Sequence, residues 1–295
     1  MKVRIAISAC SLVLTVMMIG LVIGCSSKKP VPPVSKPGEA PYYTKLVDAQ
    51  AAAADSQLIV VKFSTDWCYW CKVMDTGVFA HQEAIDAFTN DMILAKVNAE
   101  VDTALAARYH VSGYPTTVLM HKDGSEIDRV IGYQPCEEFL KTLADYKVGI
   151  GTLQNLVHRA ETEADRELYS EIAYKYKYSG GREEAVTWFE KVINMGDPLD
   201  SLSGDSRIAL ADMYRRAKEY DQALAAFQAV AKDFTGMQTG IDAEIYTGLV
   251  YKSMGDTANA IAAFNKVAEE HPNTNDGEYA SELAKQLMAP SEETE

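Results

Sequence analysis

Trp67-Cys68-Tyr69-Trp70-Cys71-Lys72 follows directly on the apolar run Leu58-Ile59-Val60-Val61. Two thiols at this spacing serve redox exchange, metal binding or a structural disulfide. A strand that ends in a Cys-x-x-Cys turn opening a helix puts Cys68 at the helix N-terminus, where unpaired backbone N–H groups and the macrodipole favour a thiolate. Cys68 is therefore the candidate attacking group. Cys71, one turn further in, is the candidate resolving thiol for a mixed disulfide on Cys68. A structural zinc site needs four ligands, but no second Cys pair is present, and His81, His110 and His121 are not ligand-spaced with the dithiol. An inert staple belongs to Cys-dense chains, whereas this one has 5 Cys in 295 residues. Exchange is the leading reading, with no metal and no bound cofactor expected.

The elements that must position this pair are legible in the surrounding pattern. A helix is expected over 42–55, a buried strand over 58–64, the dithiol helix, and a helical piece over 81–88. A strand at 92–98 and a helix at 101–109 follow, then two strands, 116–121 and 127–131, joined as a hairpin through Lys122-Asp123-Gly124-Ser125. A helix from Pro135 to Tyr146, with Glu137 and Glu138 in its first turn, closes the unit near residue 150.

This order of elements, with the dithiol after the first main strand and Val111-Ser112-Gly113-Tyr114-Pro115-Thr116-Thr117 before a later one, resembles thioredoxin over about 105 residues. The resemblance implies that Pro115 is cis and sits against Cys68, where its missing N–H lets a substrate backbone pair beside the sulfur. The aromatic residues between the cysteines look most like the exported thioredoxin-related branch, and Trp67, Tyr69, Trp70, Tyr114 and Pro115 are the implied substrate-docking set. Within that set Trp67 is expected to pack beside the site, and Tyr69 and Trp70 to be exposed. Two departures stand out. Thioredoxin has Gly-Pro where this chain has Tyr69-Trp70, and a buried carboxylate where this chain has Lys62, whose charge either lowers a thiol pKa or faces solvent.

The N-terminus has Lys2 and Arg4, an apolar stretch from Ile5 to Ile23, and Val22-Ile23-Gly24-Cys25, which resembles a bacterial lipobox. On that resemblance residues 1–24 are a lipoprotein signal, Cys10 is lost with it, and Cys25 is lipidated; an uncleaved membrane anchor is the alternative. Residues 25–41, with Pro30, Pro32, Pro33, Pro37 and Pro41, read as an extended tether reaching up to about 50 Å at roughly 3.1 Å per residue. Both readings put the folded part outside the cytoplasm, in the cell envelope. There Cys68, Cys71 and Cys136 remain, one pair and one odd thiol, with Cys136 at a helix start.

From Leu153 onward helical periodicity takes over and a repeat emerges. Ala173, Tyr176, Ala185, Phe189 and Val192 recur at the same spacing as Ala211, Tyr214, Ala223, Phe227 and Val230, and again as Gly248, Tyr251, Ala260, Phe264 and Val267. This resembles three tetratricopeptide repeats over 151–290, with extra residues expected in the links 200–205 and 235–240, a capping helix over 278–288, and a short tail at 291–295. Tyr174, Tyr176 and Tyr178 read as packing. The net charge is −14, and residues 151–295 hold 14 Lys and Arg against 26 Asp and Glu, which disfavours nucleic acid.

The expected architecture is an α/β thioredoxin fold followed by an all-α repeat solenoid. The expected activity is thiol:disulfide exchange, more on the reductase side, with a protein disulfide as substrate, a dithiol protein as electron donor, a membrane lipid anchor, and a protein partner on the repeats. A non-catalytic assembly or chaperone-like adaptor is the competing reading, and a metal-handling dithiol is the third.

Overall fold

The computed structural model of the protein describes residues 31–289. Residues 1–24, expected to be a signal, with Cys10, as well as Cys25 and the tail after residue 289, lie outside the described residues. Among those described, no helix is long and apolar enough to cross a membrane.

The first domain is a five-stranded sheet in the order β1-β3-β2-β4-β5, from β1 (Tyr42–Tyr43), β2 (Ile59–Ser64), β3 (Ile93–Asn98), β4 (Thr116–Met120) and β5 (Glu126–Ile131). β1 and β2 run parallel to β3, while β4 runs antiparallel to both β2 and β5. Alternation along β2 sends Ile59, Val61 and Phe63 to one face, where they pack with Leu46 and Ala49 of α1 (Leu46–Ala52) and Ala106 of α4 (Thr103–Arg108). Val60 faces the other side and packs with Met74 of α2 (Tyr69–Gly77), Phe88 of α3 (Gln82–Asn90) and Phe139 of α5 (Cys136–Lys147). Both faces are covered, so β2 reads as a continuous apolar run broken only by Lys62.

Two expectations change here. The helix expected from residue 42 begins at Leu46, because Tyr42 and Tyr43 add an edge strand to β3. Tyr42 also bridges to Val34, with Val34 N–H donating to Tyr42 O at 2.7 Å, and the buried Ala40 donates its N–H to Phe79 O at 2.7 Å. The Pro-rich stretch is thus packed on the domain from residue 34 onward instead of running free to residue 41.

The second domain is all helical. After a connecting turn, α6 (Leu153–Arg159) buries Leu156 against Leu168 and Ile172 of α7 (Arg166–Ser179). Helix pairs follow as α7 with α8 (Arg182–Met195), α9 (Ser201–Arg216) with α10 (Tyr220–Asp233), and α11 (Gln238–Met254) with α12 (Thr257–Glu270); α13 (Asn275–Met288) closes the stack. The repeated aromatics Phe189, Phe227 and Phe264 are all fully buried beneath the small residues of the preceding helix. At Gly248 a Cβ would stand 2.5 Å from the Phe264 ring, so the third repeat requires glycine where the others accept alanine. The extra residues of each repeat lengthen α9 and α11 instead of the links expected at 200–205 and 235–240. Asp200 caps α9 by accepting from Ser203 N at 2.8 Å, and the small Ser203 and Gly204 let that first turn press onto Thr239 of α11.

The two domains dock through β5 and the loop before β4. Asp128 accepts from Leu153 N and pairs with Lys175 Nζ at 2.6 Å, while Arg129 donates to Tyr178 O and Tyr109 O. Gly180, left-handed at the end of α7, lies so close to His110 that a Cβ would stand 2.6 Å from the imidazole.

Candidate functional site: a disulfide at a helix N-terminus

β2 delivers its chain directly into Thr65-Asp66-Trp67, and Cys68 becomes the N-cap of α2, accepting from Cys71 N at 3.1 Å through its sulfur. Cys68 and Cys71 form a disulfide with their Cα atoms 5.3 Å apart. Cys68 is 5% exposed and Cys71 1%, so the second sulfur is the more enclosed. On reduction the N-terminal amides of α2 face the Cys68 sulfur, the arrangement that favours a thiolate.

The Tyr114-Pro115 peptide is cis. Because Phe63 pairs with Thr116 in the β2–β4 ladder, Pro115 stands at the same end of the sheet as the chain that leads to Cys68. The ring of Tyr114 meets that of Trp67 edge to face at 5.9 Å. Trp67, expected to pack, is 68% exposed; its indole N–H donates to the exposed Glu100 at 2.9 Å, which holds the ring on the surface. Tyr69 is 68% and Trp70 54% exposed, and Trp70 stacks on Tyr133 at 5.7 Å. Trp67, Tyr69 and Trp70 therefore form an apolar rim around the disulfide. The repeats reach this neighbourhood: Arg216, at the end of α9, donates to Ser112 O at 2.8 Å, in the loop that leads to Pro115.

Lys62 is the residue whose setting sequence reasoning left open. It is fully buried on the α2 side of β2, where its Nζ donates to Cys71 O at 2.9 Å and pairs with Asp75 at 2.8 Å. Its register partner on β3 is Lys96, whose Nζ lies 2.9 Å from the same Asp75 oxygen and also pairs with Glu39. Burial pushes the Lys62 ammonium below the usual lysine range, with Asp75 opposing and Lys96 adding to the fall. Burial works against the Asp75 carboxylate, but the two lysines outweigh it and hold its pKa low. A charged cluster thus lies directly beneath Cys71. Alternation along β2, with Val60 and Lys62 on one face, and the position of Asp75 one turn after Cys71 were the available signals.

A thioredoxin-like domain model matches residues 46–147, and a tetratricopeptide repeat model matches 205–235 and 242–274. A thioredoxin of Chlamydia caviae is 34% identical over 86 residues, spanning 29% of this chain and 79% of that protein. The chain belongs to the thioredoxin family. Other relatives widen the comparison beyond free-standing thioredoxins. The thiol:disulfide interchange protein DsbD of Pseudomonas fluorescens is 31% identical over 97 residues, covering 31% of this chain and 16% of that much longer protein. A solution structure of a thioredoxin from Thermus thermophilus shares 28% identity, covers 37% of this chain and 89% of its own, and superposes with a TM-score of 0.34. The thioredoxin-family domain here carries a redox-capable disulfide flanked by Trp67 and Trp70, is fused to a tetratricopeptide-like region suited to protein binding, and has the fold and disulfide of a thiol:disulfide oxidoreductase.

Proposed function

We propose that the chain is an extracytoplasmic, membrane-tethered thiol:disulfide oxidoreductase that reduces protein disulfides while its repeats hold the partner protein. The observation that carries this reading is the Cys68–Cys71 disulfide at the α2 N-terminus, at the same end of the sheet as a cis Tyr114-Pro115 bond and rimmed by exposed Trp67, Tyr69 and Trp70. A disulfide set in an apolar surface rim suits a polypeptide substrate. The likeness to DsbD proteins and the lipobox-like Val22-Ile23-Gly24-Cys25 favour an envelope location with Cys25 as the lipid attachment.

In each cycle a donor dithiol transfers two electrons and two protons to the Cys68–Cys71 disulfide and leaves as a disulfide. The Cys68 thiolate then attacks a substrate disulfide; one substrate sulfur leaves and takes a proton, and a mixed disulfide remains. The Cys71 thiol loses its proton and attacks the Cys68 sulfur, releasing the second substrate thiolate and restoring the intramolecular disulfide. Pro115 has no N–H to compete with a substrate strand laid beside Cys68, and the aromatic rim supplies apolar contact.

The reduction potential of the couple, measured by equilibration against dithiol and glutathione buffers, tests the direction. A value near the roughly −270 mV of thioredoxin supports a reductase, and one near about −120 mV replaces that reading with an oxidant. Cys71→Ser is expected to accumulate a mixed disulfide on Cys68 with its partner. Full function of Cys68→Ser in cells overturns the enzymatic reading in favour of a repeat-led adaptor.

A further inference from the structure

Cys136 stands outside the exchange chemistry. It is the one free cysteine among the described residues, 9% exposed, and the first residue of α5. The fold brings its sulfur to the start of α3, so that Cys136 Sγ, a ring nitrogen of His81 and a carboxylate oxygen of Glu83 all lie within 4.8 Å of one another. Glu137 and Leu140 complete the wall of a cavity of about 480 Å3 that these three side chains line. The lining therefore contains a thiol, an imidazole and two carboxylates, and neither Lys nor Arg. Two carboxylates and no cationic side chain in the wall suit a positively charged occupant.

The donor set narrows which cation. One sulfur, one imidazole nitrogen and one carboxylate oxygen form a borderline-soft triad that suits zinc and its neighbours and is poorly matched to calcium or magnesium, which take oxygen ligands. Two of the three donors are exposed, so an ion has an open approach and the fourth position stays available to water or to Glu137. We propose that His81, Glu83 and Cys136 form a binding site for a divalent transition-metal ion of the zinc class. Binding exchanges the Cys136 S–H proton, released to solvent, for a sulfur–metal bond, and so removes the odd thiol from exchange with the disulfides handled nearby. Sequence spacing hid this site: His81 and Glu83 open α3 while Cys136 opens α5, and only the packing of both helices on one sheet face unites them.

The test uses the full chain with the Cys68–Cys71 disulfide intact, so that the dithiol contributes no ligand, titrated with Co2+ in chelator-treated buffer. The expected result is one Co2+ per chain with a sulfur-to-cobalt charge-transfer absorption, displaced by Zn2+ and abolished in Cys136→Ser. His81→Ala and Glu83→Gln change exposed side chains. Each is expected to weaken binding by about tenfold or more with the apo-protein melting temperature unchanged. Binding without the charge-transfer band, a band that survives Cys136→Ser, or affinity indifferent to both exposed variants overturns the proposal.

Discussion

Replacing Lys62 by Met removes the buried charge beneath Cys71 while keeping a side chain of similar length. The Lys62 Nζ is 2.9 Å from Cys71 O, and a separation of roughly 5–6 Å from the reduced Cys71 sulfur is taken for the Coulomb estimate. At an effective dielectric of about 20, one charge at that separation favours a thiolate by about 3 kcal/mol. The Asp75 carboxylate, 2.8 Å from the same Nζ, cancels part of this. A net effect of roughly 1.5 kcal/mol remains, or about one pKa unit. The assay is the titration of Cys71 by thiolate absorbance in a Cys68→Ser background, where a single thiol of the pair is left. Lys62→Met is expected to raise the Cys71 pKa by about one unit, and Asp75→Asn to lower it, because Lys62 then acts unopposed. Opposite shifts from two changes at one ion pair are not what a purely structural role produces. A folded Lys62→Met protein whose Cys71 titrates as before refutes the electrostatic argument and leaves Lys62 as a hydrogen-bond partner of the helix backbone. With both cysteines present, one pKa unit corresponds to about 30 mV above the thiol pKa, with the Lys62→Met couple the more reducing because its thiolate loses a stabilising charge.

Gly248→Ala is expected to destabilise the repeats by about 1–3 kcal/mol in chemical denaturation, since its methyl would enter the Phe264 ring. Asp212 is 4% exposed and bonded to Lys177, Arg215 and Arg216; burial opposes its charge, but the cations outweigh burial and lower its pKa. Its contribution is therefore complete above the unfolded carboxylate pKa of about 3.9 and is lost as pH falls below that through the lower folded value. Asp212→Asn should cost about 3 kcal/mol at pH 7, and melting curves of the two proteins should converge in acid. Trp70→Ala should change stability by less than about 1 kcal/mol, because the ring is half exposed, yet slow reduction of a protein disulfide while sparing a small-molecule disulfide; equal slowing of both rules out a docking role.

The parts of the fold legible in the sequence were those written in local pattern. The dithiol after an apolar strand, the Lys122–Ser125 hairpin and the Ala and Phe spacing of the repeats depend on residues a few positions apart, and each element stands where its pattern puts it. What escaped depends on partners distant in the chain. Tyr42 and Tyr43 form a strand only because β3 offers an edge, and Trp67 stays exposed because Glu100 holds its indole. Lys62 is buried because Asp75 and Cys71 O supply its hydrogen bonds from another element. The first turns of α9 and α11 fall where links are expected, at 200–205 and 235–240, because Ser203, Gly204 and Gly240 look like link residues, whereas in the stack they are close-approach points between helices.

The Arg216–Ser112 bond and the Asp128–Lys175 and Arg129–Tyr178 contacts fix the helical stack against the sheet that carries the disulfide. On the proposed function, a client held by that stack would be measured as well as held: its reactive cystine would have to lie at a set contour length from the anchored segment, so that cysteines would be selected by their place along a chain as much as by the residues beside them.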